Sequence, residues 1–156
     1  MPQKKLKIFL SYAHEDETMK KQLDKNLVML KKSDKIEVWE DRAIIPGDVW
    51  DEKIGNALTT ADIILLLISV DFNNSQYIWD KELKIALERH ESDEARVIPV
   101  ILRTCEWSEM PYTKLQVLPT NAKPISSFDD ADEAYTDVAK GIRMVVDHIL
   151  SQRATR

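Results

Sequence analysis

Glu82 is a carboxylate on the apolar side of a predicted helix that runs from about Gln76 to His90. At about 100° per residue, Trp79, Leu83 and Ala86 fall on one apolar arc, and Glu82 falls inside that arc. A carboxylate on a buried face costs several kcal/mol unless it is paired or used for chemistry. Desolvated carboxylates near a ligand crevice are typical of catalytic sites, so Glu82 is the first candidate for a catalytic residue.

An ordinary structural interpretation of Glu82 stays open at this point. The side chain could turn toward solvent at the edge of the arc, or it could pair with Arg42 or Arg89. Helical geometry alone does not decide between these alternatives.

Other kinds of reactive centre find little support in the sequence. The single cysteine, Cys105, excludes an internal disulfide and a cysteine-rich metal site, and the three histidines lack metal-ligand spacing. We therefore expect no bound metal. A formal net charge of −5 gives no electrostatic reason to bind nucleic acid. Phosphate-binding loops need several glycines close together, whereas this chain has only Gly47, Gly55 and Gly141.

The elements that must position Glu82 alternate between strands and helices. Strands are predicted at Lys7–Ser11, Ile36–Trp39, Ile63–Ile68 and Val97–Leu102, with a weak fifth strand near Lys123–Ser126. Amphipathic helices are predicted at Glu15–Lys32, Trp50–Ala61, Gln76–His90 and Ala131–Leu150. This alternation predicts a flavodoxin-like, three-layer α/β fold. Its parallel sheet would have five strands in the order 2-1-3-4-5, with helices on both faces.

Several features refine this fold. The uninterrupted apolar run Ile63–Ile68 is typical of a central strand buried on both faces, and Pro99 places the fourth strand near a sheet edge. A length of 156 residues suits a single domain over residues 1–156, with a core at about 6–150. No apolar run approaches the ~20 residues of a membrane helix, and no signal peptide is evident, so we expect a cytoplasmic protein.

The topology also predicts where a ligand would bind. Parallel sheets of this kind bind ligands beyond the carboxyl ends of the strands, where the winding direction reverses between the first and third strands. Ser11 and Tyr12 end the first strand, and Ser69 ends the central strand, so all three are candidate substrate-binding residues. A turn role for Ser11 and Tyr12, or a helix-start role for Ser69, is the structural alternative.

Five stretches in the same order resemble the Toll/interleukin-1 receptor (TIR) domain family, particularly its bacterial branch. They are the strand and Ser-Tyr-x-x-x-Asp turn at Lys7–Asp16, Val38–Arg42 with Ile45–Trp50, Ile54–Ser69, Tyr77–Leu83, and Arg96–Leu102. Trp107, Leu118-Pro119, Lys123-Pro124 and the last helix complete the pattern. The resemblance covers roughly residues 6–150.

The resemblance implies an activity. Many TIR domains hydrolyse the bond between nicotinamide and ribose in NAD⁺, giving nicotinamide and ADP-ribose or a cyclic isomer. Glu82 occupies the position of the catalytic glutamate in these members. Because nicotinamide is already a cationic leaving group, one carboxylate can suffice to stabilise the oxocarbenium-like state. NAD⁺ would be the substrate, and no separate cofactor is expected.

Relatives also place an aromatic residue before that glutamate to stack on the substrate. Trp79 lies three positions before Glu82, whereas many relatives have tryptophan four positions before, where Ile78 stands here. Tyr77 is a second candidate for the stacking residue. A role for Trp79 as an anchor in the hydrophobic core is an equally good interpretation.

The resemblance also implies roles for the loop after the second strand. Relatives use it to contact substrate or a neighbouring protomer, which implies substrate-binding roles for Asp41 and Arg42; an ordinary ion pair is the alternative. Its apolar tip predicts a self-association interface at Ile44, Ile45, Pro46 and Gly47. The resemblance implies bacterial immune signalling, with a fused or co-encoded sensor as partner. A non-catalytic TIR–TIR interaction module remains the alternative function.

Overall fold

Four parallel strands form one sheet in the order β2-β1-β3-β4 in the computed structural model, which describes residues 4–39, 50–76 and 78–155. The strands are β1 (Leu6–Ser11), β2 (Ile36–Val38), β3 (Ile63–Ile68) and β4 (Arg96–Ile101). The helices are α1 (Glu17–Asn26), α2 (Val28–Lys32), α3 (Trp50–Thr60), α4 (Val70–Asn74), α5 (Lys84–Glu91) and α6 (Ala131–Ala154). The predicted fold class and the strand order 2-1-3-4 are confirmed.

The predicted fifth strand does not form within the described ranges. Ile125–Ser127 is instead a short 3₁₀ turn, and one isolated bridge joins Val100 of β4 to Leu118. Pro119 follows Leu118 and Pro124 lies within the predicted strand, and neither has the backbone N–H that a strand ladder requires. The segment therefore lies beside β4 without extending the sheet.

β4 is consequently the last strand of the sheet, as Pro99 predicts. The Pro99 carbonyl accepts the backbone N–H of Leu118 at 2.9 Å, and the Ile101 N–H donates to the Leu118 carbonyl at 2.8 Å. These two bonds cover part of an edge that would otherwise expose unpaired backbone groups.

β3 is the central element of the core, and all six of its residues are buried. Successive side chains of a strand point to opposite faces of the sheet. Leu65 and Leu67 accordingly pack in a cluster with residues of α1, α2 and α6. Ile64 and Leu66 pack in a second cluster with residues of α3 and α5. Helices therefore cover both faces of the sheet, which explains the uninterrupted apolar sequence.

Two predicted helices are divided in the structure. The helix predicted at Glu15–Lys32 is interrupted at Leu27, which separates α1 from α2. The helix predicted at Gln76–His90 starts with a π-helical turn, Ile78–Leu83, before continuing as α5. Ser75 acts as the predicted cap, because its hydroxyl oxygen accepts the N–H of Ile78 at 3.2 Å. Among the described helices, none combines the length and apolarity needed to cross a membrane.

Replacing Leu66 with alanine tests the central position of β3. Leu66 is completely buried, so Leu66→Ala should lower the free energy of unfolding by about 3–4 kcal/mol in urea denaturation. Met144 is 73% exposed on α6, so Met144→Ala should change it by less than about 0.5 kcal/mol. Equal losses for the two variants would contradict the packing described here.

Candidate active site

A groove of about 630 Å³ opens at the carboxyl ends of the central strands. Its volume is in the range of small-molecule sites. The described lining combines apolar, aromatic and acidic side chains, including Phe9, Tyr12, Trp39, Asp71, Ile78 and Glu82. The groove therefore lies where the parallel topology predicts a ligand crevice.

Glu82 reaches this groove from the π-helical turn. Its side chain is buried, with 7% of the residue exposed, and neighbouring Ile78 and Leu83 pack in the α3/α5 side of the core. The structure therefore does not support the alternative in which Glu82 turns to solvent. π turns are rare and frequent at functional sites. The helical arc placed Glu82 on the apolar side without deciding its burial, and it did not predict this local geometry.

Within the described ranges, the hydrogen bonds of Arg89 go to backbone carbonyls and not to Glu82. Its Nη1 atom donates to the carbonyls of Leu58 and Ala61, each at 2.7 Å, and its Nη2 atom donates to the Glu94 carbonyl at 3.1 Å. These carbonyls include groups at the end of α3 that lack partners within that helix. Arg89 therefore fastens α5 to the end of α3.

Asp16 is the second buried carboxylate near the groove, with 2% of the residue exposed. It accepts a hydrogen bond from the Ser69 hydroxyl on one oxygen and from Arg103 Nε, at 2.9 Å, on the other. Arg103 Nη2 also donates to Asp71 at 2.5 Å. The hydrogen bond to Asp71, followed by the contacts with Asp16, raises the pKa of Arg103. Asp16 thus connects the segments that follow β1, β3 and β4.

Sequence reasoning identified Asp16 only as part of the Ser-Tyr-x-x-x-Asp turn and missed Arg103. The position of Arg103, directly after β4 at the same end of the sheet, was the available signal. Ser69 is fully buried and also caps α4, because its hydroxyl oxygen accepts the N–H of Phe72 at 3.1 Å. This is the helix-start geometry; a contact between Ser69 and substrate stays a prediction.

The two residues that end β1 differ in exposure. Tyr12 lines the groove, and its hydroxyl donates to Glu17 at 2.6 Å. The Lys20 Nζ atom lies 5.5 Å from the centre of the Tyr12 ring. Ser11 is completely buried, and its hydroxyl has no hydrogen-bond partner among the described residues.

The aromatic side chains near the candidate site occupy two different environments. Trp39 lines the groove and stacks on Phe9, with ring centroids 5.6 Å apart. Trp79 packs against the α3/α5 side of the core, and its indole N–H donates to the Asn73 carbonyl at 2.7 Å. Trp79 is not among the described residues that line the groove. Its role in substrate stacking stays a prediction.

Several predicted site residues lie outside the described part of the chain. They are Asp41, Arg42, Ile44, Ile45, Pro46, Gly47 and Tyr77. Within the described ranges, no cluster of three or more histidine, cysteine or acidic side chains is arranged to hold a metal ion.

The family of the chain is shown by its sequence. Residues 8–139 match the TIR domain family model, and the chain belongs to the TIR domain family. The fold is similar to the crystal structure of the TIR domain of the Toll-related receptor TRR-2 from Hydra magnipapillata. The TM-score is 0.59 at 23% identity, over 87% of this chain and 97% of that one.

A bacterial relative shows higher sequence identity. The chain is 48% identical over 136 residues to the uncharacterized protein y4lF of Sinorhizobium fredii strain NBRC 101917 / NGR234. The match covers 87% of this chain but 42% of that protein. The chain thus spans about two fifths of the length of this relative.

The contacts of Asp16 predict that it contributes much more to the free energy of unfolding than the nearby carboxylate of Asp71. Asp16→Ala leaves Ser69 and Arg103 without their shared buried acceptor, so it should cost about 2–4 kcal/mol of unfolding free energy. Asp71→Ala removes a carboxylate whose side chain is 31% exposed and should cost about 1 kcal/mol or less. Urea denaturation of both variants measures the difference. A smaller loss for Asp16→Ala than for Asp71→Ala would contradict the organising role of Asp16.

Tyr112 gives a prediction for alkaline pH. It is completely buried, its hydroxyl donates to Asn73 Oδ1 at 2.7 Å, and burial raises its pKa above the ordinary value. The folded state therefore favours the neutral phenol. This contribution to stability is complete below the unfolded pKa of about 10 and is lost as pH rises through the folded pKa.

Tyr112→Phe should accordingly reduce the fall in unfolding free energy above about pH 10, while lowering stability at neutral pH by about 1 kcal/mol through loss of the hydrogen bond. Urea denaturation at several pH values measures both effects. If the unfolding free energy of the variant falls just as steeply above about pH 10, Tyr112 does not cause that fall.

Proposed function

We propose that this TIR domain is an NAD⁺ nucleosidase that cleaves the bond between nicotinamide and ribose. The products would be nicotinamide and ADP-ribose or a cyclic ADP-ribose isomer. The observation that carries the proposal is the buried carboxylate of Glu82, which lines a groove at the carboxyl ends of the strands. The family of the chain includes NAD-cleaving members, and Glu82 has the position of their catalytic glutamate.

Glu82 would act as the catalytic residue by stabilising positive charge on the ribose. As the glycosidic C–N bond breaks, its electron pair moves to the pyridinium nitrogen, and nicotinamide leaves as a neutral molecule. The remaining oxocarbenium-like ribose is positive, and a nearby carboxylate lowers its energy. Removal of this carboxylate from bulk water strengthens the interaction, because the local dielectric is lower. Attack by water then gives ADP-ribose and releases a proton.

Other side chains would hold the substrate around this carboxylate. Tyr12 lines the groove, and its hydroxyl oxygen, whose proton is donated to Glu17, can accept a hydrogen bond from a ribose hydroxyl. We propose binding roles for Ser11, Ser69, Asp41, Arg42, Tyr77 and Trp79 on the basis of the family resemblance. No resident cofactor is required, since NAD⁺ is itself the substrate.

Self-association would activate the enzyme. TIR domains interact through TIR–TIR contacts, and we propose the apolar tip at Ile44, Ile45, Pro46 and Gly47 as the interface. The proposed setting is bacterial immune signalling in the cytoplasm, with a fused or co-encoded sensor as the trigger. The alternative, a TIR–TIR interaction module without turnover, requires no chemistry from Glu82.

Replacing Glu82 tests the proposed activity directly. Concentrated protein should release nicotinamide from NAD⁺, and Glu82→Gln should reduce the rate at least about 100-fold, because the amide carries no charge to stabilise the transition state. Chromatography of the reaction mixture measures nicotinamide. Glu88→Gln makes the same chemical change at an exposed position of α5 and should retain the wild-type rate.

The outcomes separate the two candidate functions. Turnover that is unaffected by Glu82→Gln would remove this carboxylate from the mechanism. Absence of turnover at every protein concentration, including concentrations at which sedimentation shows assembly, would favour the interaction module. Mass spectrometry of the products distinguishes linear from cyclic ADP-ribose.

A further inference from the structure

The π-helical turn that carries Glu82 is bonded to α4 through Trp79. Trp79 precedes Glu82 by three residues in the same turn, Ile78–Leu83. Its indole N–H donates to the backbone carbonyl of Asn73, in α4, at 2.7 Å. Its backbone N–H donates to the Ser75 carbonyl at 3.1 Å. The position of the turn is therefore tied to the position of Asn73.

The side chain of Asn73 is bonded to a different part of the chain, the segment of residues 103–115 that follows β4. Its Oδ1 atom accepts the Tyr112 hydroxyl at 2.7 Å. Its Nδ2 atom donates to the Glu106 carbonyl at 3.4 Å and to Cys105 Sγ at 3.7 Å. The acceptor and the donor of the amide group thus both have partners, which favours one orientation of the side chain.

Tyr112 anchors this arrangement in the core. It is completely buried, and its ring packs edge-on against Phe72, the residue before Asn73, with ring centroids 6.3 Å apart and an interplanar angle of 73°. A buried phenol without an acceptor would be costly, so the hydrogen bond to Asn73 stabilises this packing. Asn73 consequently joins the packing of Tyr112 to the position of Trp79.

We infer that Asn73 is a positioning residue for Glu82, and that it acts through Trp79. The inference rests on the proposed function. Asn73 is not among the described residues that line the groove, and neither is any residue of the segment 103–115. Their contacts nevertheless fix the turn from which the carboxylate reaches the groove. A misplacement of about 1 Å in a reacting group can cost about 100-fold in rate, so this turn must be held accurately.

Asn73→Leu tests this role, because leucine has a similar volume but cannot accept the Tyr112 hydroxyl or donate to Glu106 and Cys105. Steady-state kinetics with NAD⁺ measures kcat and KM. The variant should lower kcat by about 10- to 100-fold and change KM by less than about 2-fold, because the groove lining is retained while the carboxylate is displaced.

Conservative variants extend this test. Asn73→Asp keeps an acceptor for the Tyr112 hydroxyl and should restore part of the kcat that Asn73→Leu loses. Tyr112→Phe removes only the hydroxyl and should lower kcat by about 3- to 10-fold at unchanged KM. It continues the test if Asn73→Leu does not fold. Asn56→Leu makes the same substitution at an exposed position of α3, outside the described lining, and should retain the wild-type kcat and KM.

Combination with Glu82→Gln separates positioning from a general structural effect. Because Asn73 acts by placing the Glu82 carboxylate, Asn73→Leu should lower the rate of the wild type but leave the residual rate of Glu82→Gln unchanged. A loss of folded protein would lower both rates by the same factor.

Two results would overturn the inference in a protein that releases nicotinamide from NAD⁺. In the first, folded Asn73→Leu, or Tyr112→Phe in its place, keeps the wild-type kcat or changes only KM. In the second, the substitution lowers the rate of Glu82→Gln by the same factor as the rate of the wild type. A wild-type protein that releases no nicotinamide rejects the proposed function, and the inference with it.

Discussion

The carboxyl end of the sheet depends on the hydrogen bonds that the buried carboxylate of Asp16 accepts. An isolated charge in this position would be costly, because burial removes it from water. The Ser69 hydroxyl and the Arg103 guanidinium offset that cost, since each donates to a different oxygen of the carboxylate. These three residues follow or end three different strands, so satisfying one charge fixes the relative positions of three segments. Arg103 then extends the network to Asp71 in the wall of the groove.

The groove combines an apolar surface with a buried acidic side chain. Its floor is continuous with the apolar cluster beneath α3 and α5, which includes Phe9 and Ile78. Its wall carries Glu82, an acidic side chain with almost no exposure. Apolar surroundings weaken competition from water and strengthen the field of the carboxylate. A site of this composition stabilises positive charge that develops on a bound molecule more effectively than an exposed carboxylate would.

Sequence patterns predicted the elements of the fold well because those patterns record burial. The apolar run of β3 indicated a strand covered on both faces, and Pro99 indicated an edge. The fifth strand was predicted wrongly because periodicity does not register the missing N–H groups of Pro119 and Pro124. In the candidate site, the helical position placed Glu82 on the apolar arc but left open whether its side chain is buried. The contribution of Trp39 to the groove did not follow from a sequence pattern, because it depends on stacking between residues 30 positions apart in the sequence.

The hydrogen bonds from Arg89 to the end of α3 tie the position of α5 to that of α3. α5 continues directly from the turn that carries Glu82, and Arg89 joins this helix to two carbonyls at the other helix's end. Because both bonds are made by one planar guanidinium, the two helices resist sliding past each other. A force that displaces α3 would therefore be transmitted to the segment bearing the acidic side chain. The pair of helices thus links the surface of α3 to the groove that Glu82 lines.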